Sequence, residues 1–113
     1  MPIVVDNLLR TAAGSTTHEQ INELLATDAV RIEQIISHGQ ASPEGFWYDQ
    51  PESEWVVLLR GSATLLLEGE PGVKLGAGDS LLIPARLRHR VEETSADAVW
   101  LAVHLRQEPM VKS

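Results

Sequence analysis

The segment GDSLLIPARLRHRV, residues 78–91, decides the fold predicted for this chain. Gly78 can adopt the positive φ angle that a tight turn requires. Residues 80–83 form an apolar run of strand length, and Pro84 ends the run because proline has no N–H to donate to a β-ladder. The pattern therefore predicts a turn, a short strand, a bend and a second strand that begins at His89.

The spacing of the glycine, the proline and the histidine in this segment resembles the second sequence motif of the cupin superfamily. The first motif of that family consists of two His, a Glu and a Gly, and Glu54 and Gly61 occupy its last two places. The two His places fall on Trp47 and Asp49 in one register. The resemblance extends over about residues 38–105 and implies a small antiparallel β-barrel of the double-stranded β-helix type.

In a register one residue shorter, the two His places fall on Tyr48 and Gln50. Neither register supplies a histidine. The glycine that family members often carry two residues after the proline is Arg86 here, and the asparagine that often follows the histidine is Glu93. The sequence therefore keeps the spacing of the family but lacks half of its usual ligand residues.

Composition predicts one compact domain. The chain has 113 residues, of which 43% are hydrophobic, and it contains no cysteine and no apolar run long enough to span a membrane. A net charge of −7 argues against nucleic acid as a partner. The N-terminus lacks a basic region followed by an apolar stretch, so we expect a cytoplasmic protein.

The predicted elements are mostly short strands separated by Gly-rich turns, which is typical of a barrel or jelly roll. Thr16 and Glu19 have the spacing of a capping box, and apolar residues at helical spacing follow them, so a short helix is expected over about residues 18–25. The predicted strands are residues 30–36, 46–48, 54–60, 63–68, 73–75, 80–83, 89–93 and 98–105.

We interpret these elements as one domain, an all-β single-domain cupin with a short N-terminal helix. Residues 1–37 are expected to hold an arm, the helix and the first barrel strand. Residues 38–105 are expected to form the barrel core, and residues 106–113 a polar tail.

Alternation along residues 54–60 predicts which side chains enter the barrel. If Glu54 points inward, Val56 and Leu58 do so too, whereas Trp55 and its alternate neighbours face outward. Because both faces of this strand are then apolar, both must be covered. The outer cover is either the N-terminal segment or a second subunit, and the resemblance to cupins, which are often dimers, favours a homodimer.

The last two predicted strands suggest that two histidines converge. A four-residue turn at residues 94–97 would place His89 opposite Ala102, and His104 would then lie on the same face as His89. A turn that is one residue shorter or longer would send the side chains to opposite faces.

Three functions follow from these patterns. The first is a metal-dependent enzyme, because two imidazoles and a carboxylate suit Fe, Mn, Ni or Zn. The second is a metal-free module that binds a small molecule. The third is an isomerase that uses Glu54 and His89 as general acid and base. The candidate metal ligands are, in order, His89, Glu54, His104, Asp49 and Gln50, and the candidate pocket-wall residues are Trp47, Tyr48 and Trp100.

Overall fold

The computed structural model describes residues 2–10 and 18–106. These residues form eight β-strands, so the all-β prediction is confirmed. No helix in this part of the chain is long and apolar enough to cross a membrane. The strands are β1 (Gln20–Ala26), β2 (Val30–Ile36), β3 (Ser53–Arg60), β4 (Ser62–Leu67), β5 (Val73–Gly76), β6 (Ser80–Ile83), β7 (His89–Thr94) and β8 (Val99–Leu105).

The strands form two antiparallel sheets that pack face to face. The larger sheet has the order β1-β2-β8-β3-β6, and the smaller sheet has the order β5-β4-β7. Each strand alternates between the space enclosed by the sheets and the outside, as a period of two requires. The core contains Leu58 and Trp100 from the larger sheet and Leu65 and Leu75 from the smaller one, and all four side chains are buried.

The segment that opened the sequence analysis folds as predicted. Gly78 has a φ angle of 93°, and the backbone N–H of Gly76 donates a hydrogen bond of 2.7 Å to Oδ2 of Asp79. Strand β6 ends at the residue before Pro84, and His89 begins β7. The glycine turn and the proline therefore set both ends of this strand.

The predicted helix at residues 18–25 is wrong. Residues Gln20–Ala26 form β1, which pairs with β2, while Thr16 lies outside the described residues. A β-bulge between Glu23 and Leu25 shifts the register, so Ile21 and Leu25 face opposite sides of the sheet. Because the bulge inserts an extra residue into the strand, the apolar residues of β1 follow a spacing that resembles that of a helix. An isolated helix of this length would also have little stability of its own.

The predicted hairpin between β7 and β8 is also wrong. Strand β7 pairs with β4, whereas β8 pairs with β2 and β3, so the turn after Thr94 leads from one sheet to the other. His89 and His104 nevertheless both point into the space between the sheets, because each lies on the inner face of its own sheet. The two histidines converge by sheet packing and not by strand pairing.

Candidate functional site

A cavity of about 110 Å³ lies between the two sheets. Its apolar wall includes Trp100, Val56 and Leu65. Seven polar side chains also line it, a high share for the interior of a small domain. They are Glu19, Glu33, Tyr48, Gln50, Glu54, His89 and His104.

His89 and Glu54 form the pair at the centre of the cavity. Nε2 of His89 lies 3.8 Å from Oε1 of Glu54, and both side chains are at least nine-tenths buried. Nδ1 of His89 lies 2.9 Å from the carbonyl oxygen of Leu87. Because a carbonyl only accepts, Nδ1 carries a hydrogen. In the neutral ring, Nε2 is then an unprotonated base that faces the carboxyl group of Glu54.

Glu54 is held in the cavity by the register of β3. It is directly opposite His104 on β8 and opposite Ile83 on β6. Burial raises the pKa of Glu54 above its usual value, and the nearby His104 and His89 offset part of this rise. The carboxyl group therefore keeps its proton to a higher pH than an exposed glutamate does.

A second imidazole–carboxylate pair faces the first. Nε2 of His104 lies 3.0 Å from Oε1 of Glu33, a residue of β2 that the sequence motifs do not include. Arg31 forms an ion pair with Glu33, because its Nε lies 3.4 Å from Oε2 of Glu33. A second guanidinium nitrogen of Arg31 lies 3.3 Å from Oε1 of Glu52. The buried Nδ1 of His104 has no hydrogen-bond partner in the described part of the chain.

Of the two alternative motif registers, the structure places Tyr48 and Gln50 at the cavity. Tyr48 and His89 exchange both backbone hydrogen bonds, at 2.7 and 3.1 Å, and their rings stack with centroids 5.3 Å apart. Alternation then turns Trp47 and Asp49 outward. Asp49 pairs with the exposed Arg86 at 3.3 Å, so neither Asp49 nor Trp47 lies where the sequence placed it.

Trp47 instead packs outside the cavity, where the guanidinium carbon of Arg88 lies 5.4 Å from its ring centroid. This contact is a cation–π interaction. Trp100, by contrast, lines the cavity and shares a face with His104, as alternation along β8 predicts.

Sequence reasoning missed two carboxyl groups of the site, those of Glu19 and Glu33. Glu33 was detectable, because the alternation of β2 places it on the same face as Ile35. Glu19 was assigned to a helix cap, which hid its place at the cavity. Burial raises the pKa of Glu19, and a hydrogen bond from Ser37, 3.5 Å long, lowers it by less. Burial raises the pKa of Tyr48 as well, with a smaller contribution from the charges of Glu19 and Glu54.

In this structure the cavity side chains pair with one another instead of forming a metal-binding group. Among the described residues, no group of three or more His, Cys, Asp or Glu side chains is arranged to hold a metal ion. The imidazoles of His89 and His104 are each directed at a carboxylate, Glu54 in one case and Glu33 in the other. The ligand roles assigned from sequence therefore stay predictions.

Comparison with solved structures gives a relative that matches nearly the whole chain. A crystal structure of a proposed mannose-6-phosphate isomerase from Ralstonia eutropha JMP134 is 42% identical, with a TM-score of 0.88, and the match covers 93% of this chain and 100% of that chain. No curated protein matches the chain.

More distant structures share the fold. A cupin superfamily protein from Desulfitobacterium hafniense DCB-2 is 17% identical, with a TM-score of 0.75 and 88% of each chain covered. An RmlC-like cupin from Desulfovibrio desulfuricans is also 17% identical, with a TM-score of 0.75, and the match covers 93% of this chain and 98% of that chain. The profile of the cupin domain family matches residues 32–104. With two facing antiparallel sheets, a polar cavity between them and this profile match, the chain belongs to the cupin family.

Proposed function

We propose that this cupin binds a small hydroxy carbonyl compound in its cavity and isomerises it by metal-free proton transfer. The observation that carries the proposal is the pairing of Glu54 with His89. A buried carboxyl group of raised pKa faces an imidazole nitrogen that is free to accept a proton. A general acid beside a general base is the arrangement that such an isomerisation needs.

Over one reaction, His89 and Glu54 each give and take one proton. Nε2 of His89 takes the proton from the carbon next to the carbonyl group, while the carboxyl group of Glu54 gives its proton to the carbonyl oxygen, and an enediol forms. His89 then returns a proton to the former carbonyl carbon, and the Glu54 carboxylate accepts the proton of the neighbouring hydroxyl. The pair ends as it began, because each group has given and taken one proton.

The name of the Ralstonia relative agrees with the reaction class, since a sugar isomerase moves a proton between adjacent carbons. The second candidate is a metal-dependent enzyme in which His89, Glu54 and His104 hold a divalent ion, as the family resemblance implies. Such an ion would polarise a bound carbonyl oxygen. The pairing of each imidazole with a carboxylate favours the metal-free candidate.

Deuterium exchange tests the proposal. The protein is incubated in D2O with a panel of aldoses, ketoses and amino sugars, before and after exhaustive dialysis against EDTA, and deuterium on the carbon next to the carbonyl is measured by NMR. We expect incorporation into at least one compound, at the same rate after dialysis. Exchange that is lost with EDTA and restored by Fe, Mn, Ni or Zn would replace the proposal with the metal-dependent candidate. An absence of exchange across the panel would contradict both.

We also propose that a second copy of the chain covers the outer face of the larger sheet. Paired residues form an apolar row across its five strands: Leu25, Ile32, Val103, Trp55 and Leu82. Leu25, Trp55 and Leu82 are 52%, 38% and 42% exposed. An exposed row of this width is typical of an interface between subunits.

Residues 2–10, the described part of the N-terminal segment, contact a neighbouring part of this face. The side chain of Gln34, one row away, donates a hydrogen bond of 2.7 Å to the carbonyl oxygen of Leu8. Ile3, Val4 and Val5 expose 94%, 82% and 91% of their surface, so the arm has apolar residues to offer a second subunit. The described residues therefore leave the row open, and residues 3–5 add further apolar surface.

Substitution of Trp55 checks this proposal. We expect sedimentation velocity to show a dimer for the wild type and a monomer for Trp55→Asp, because a carboxylate in the middle of the row would be buried without a partner. Phe46→Asp is the control, since Phe46 is similarly exposed at 43% but lies outside both sheets. A monomeric wild type, or a dimer that survives Trp55→Asp, would contradict the assignment.

A further inference from the structure

The charge of the cavity restricts what can enter it. Three carboxyl groups line it, those of Glu19, Glu33 and Glu54, and none of the described residues that line it is Lys or Arg. Arg31, which contacts this network, is already engaged by Glu33 and Glu52 at 3.4 and 3.3 Å. A phosphate or carboxylate group on a ligand would therefore lose its water and meet the carboxylate of Glu33, with no Lys or Arg in the described lining to compensate it.

The hydrogen-bonding groups of the cavity point to the same conclusion. His104 is 4% exposed, and its Nε2 contacts a carboxylate oxygen of Glu33, which places the hydrogen of the neutral ring on Nε2. Its buried Nδ1 is then an acceptor, and no described group donates to it. The buried Oε1 of Gln50 is a second acceptor without a donor among the described residues.

Buried acceptors without partners cost stability, so a ligand that supplies donors is favoured at these atoms. Nε2 of His89 adds a third acceptor, because Nδ1 of that ring carries the hydrogen. The side chains of Tyr48 and Trp100 also line the cavity. Charge and acceptors together select a ligand that is rich in donors and positively charged.

We propose that the cavity recognises a small hydroxylated amine, such as an amino sugar, and rejects the corresponding phosphate ester. The ammonium group lies against the carboxylate of Glu33, and the hydroxyl groups donate to Gln50 and His104. This assignment rests on the proposed function only in that both use the same cavity. It separates the chain from its Ralstonia relative, whose name refers to a sugar phosphate.

Three probes of one ring structure test the proposal: D-mannosamine, D-mannose and D-mannose 6-phosphate. Binding of each to the wild-type protein is measured by isothermal titration calorimetry at neutral pH. We expect mannosamine to bind at least about tenfold more tightly than mannose, the factor that one charge-assisted hydrogen bond provides, and mannose 6-phosphate to bind most weakly. A phosphate that binds as tightly as the amine, or an amine that shows no saturable binding, overturns the proposal.

A matched pair of variants locates the effect. Glu33→Gln removes one carboxylate of the cavity and is expected to reduce the preference for mannosamine over mannose by about tenfold. Glu52→Gln removes the other carboxylate that binds Arg31, but from outside the cavity, and should leave the preference unchanged. An equal loss in both variants, or no loss in either, contradicts the assignment.

The deuterium exchange assay separates failure of this inference from failure of the proposed function. Tight binding of mannose 6-phosphate together with deuterium exchange would support the isomerase proposal and contradict the proposed recognition of an amine. Selective binding of mannosamine without deuterium exchange would support a module that binds amines and contradict the isomerase proposal.

Discussion

The Glu54→Gln variant is expected to lose proton transfer and to become more stable than the wild type at a pH above the folded-state pKa of Glu54. The amide keeps the size of the carboxyl group but neither releases nor accepts a proton. Loss of a general acid lowers rates by about 10²- to 10⁴-fold, and we expect a fall in deuterium exchange of that order. The rate is measured with the substrate that the wild type exchanges fastest.

The gain in stability follows from the raised pKa of Glu54. Because burial raises this pKa in the folded state, the folded protein binds the proton more tightly than the unfolded chain does. The stability that this group contributes is present in full below the usual pKa of glutamate and is lost as the pH rises through the folded-state pKa. The amide that replaces the carboxyl group has no charge to bury, so the variant should melt above the wild type at a pH above the folded-state pKa of Glu54, most clearly in alkali, with a difference that shrinks in acid.

Glu93→Gln is the control for both effects. Glu93 lies on the same strand as His89 and its side chain is exposed. The same change of charge there should alter the free energy of unfolding by less than about 0.5 kcal/mol and leave exchange unchanged. Wild-type exchange in Glu54→Gln would remove Glu54 from the mechanism, and a lower melting temperature at alkaline pH would contradict the argument from burial.

The Gly61→Ala variant is expected to lose about 3 kcal/mol of folding stability, the sum of backbone strain and steric overlap. Gly61 has a φ angle of 87°, which strains any residue with a β-carbon by about 1–2 kcal/mol. A β-carbon there would overlap Oγ of Ser95 and lie 2.9 Å from Oδ1 of Asp97 and 3.0 Å from Cα of Ala98. Ser95 would have to move, although it accepts a hydrogen bond of 2.9 Å from the N–H of Ser62 and donates one of 2.8 Å to Asp97.

Gly69→Ala separates strain from overlap. Gly69 has a similar φ angle of 83°, but a β-carbon there would meet no atom within 4 Å. This variant should therefore lose only the backbone strain, about 1–2 kcal/mol. Urea unfolding of both variants measures the two costs, and equal losses would mean that the crowding around Gly61 is unimportant.

Alternation and turn chemistry made much of the larger sheet predictable. The two-residue period of β3 places Glu54, Val56 and Leu58 on the inner face, and all three are buried. The turn at Gly78 followed from the backbone freedom of glycine. These features depend on neighbouring residues, so a single sequence contains them.

Features that depend on contacts between distant parts of the chain could not be predicted from the sequence. The convergence of His89 with His104 was reached through a hairpin that does not exist, and only the packing of the two sheets explains it. The bulge in β1 gave this strand an apolar spacing that was interpreted as helical. The role of Glu19 was hidden for the same reason, since its place at the cavity follows from where β1 pairs.

The register of the first cupin motif is one feature that the sequence alone could not decide. The sequence left Trp47 with Asp49 and Tyr48 with Gln50 as equal alternatives. The backbone pairing between Tyr48 and His89 decides between them, and it joins segments far apart in the chain. Arg86, which replaces the family glycine, has a φ angle of 67°, so this turn keeps the glycine-like backbone without the glycine.

NMR titration of protein labelled with ¹⁵N in histidine and ¹³C in the glutamate carboxyl groups tests the central claim most directly, because it needs no substrate. His89→Asn and Glu54→Gln supply the assignments. The account predicts that the neutral ring of His89 carries its hydrogen on Nδ1 and none on Nε2, and that Glu54 titrates above the usual range of glutamate. A hydrogen on Nε2 of neutral His89, or a Glu54 carboxyl group that titrates as an exposed one does, would contradict the acid–base pair.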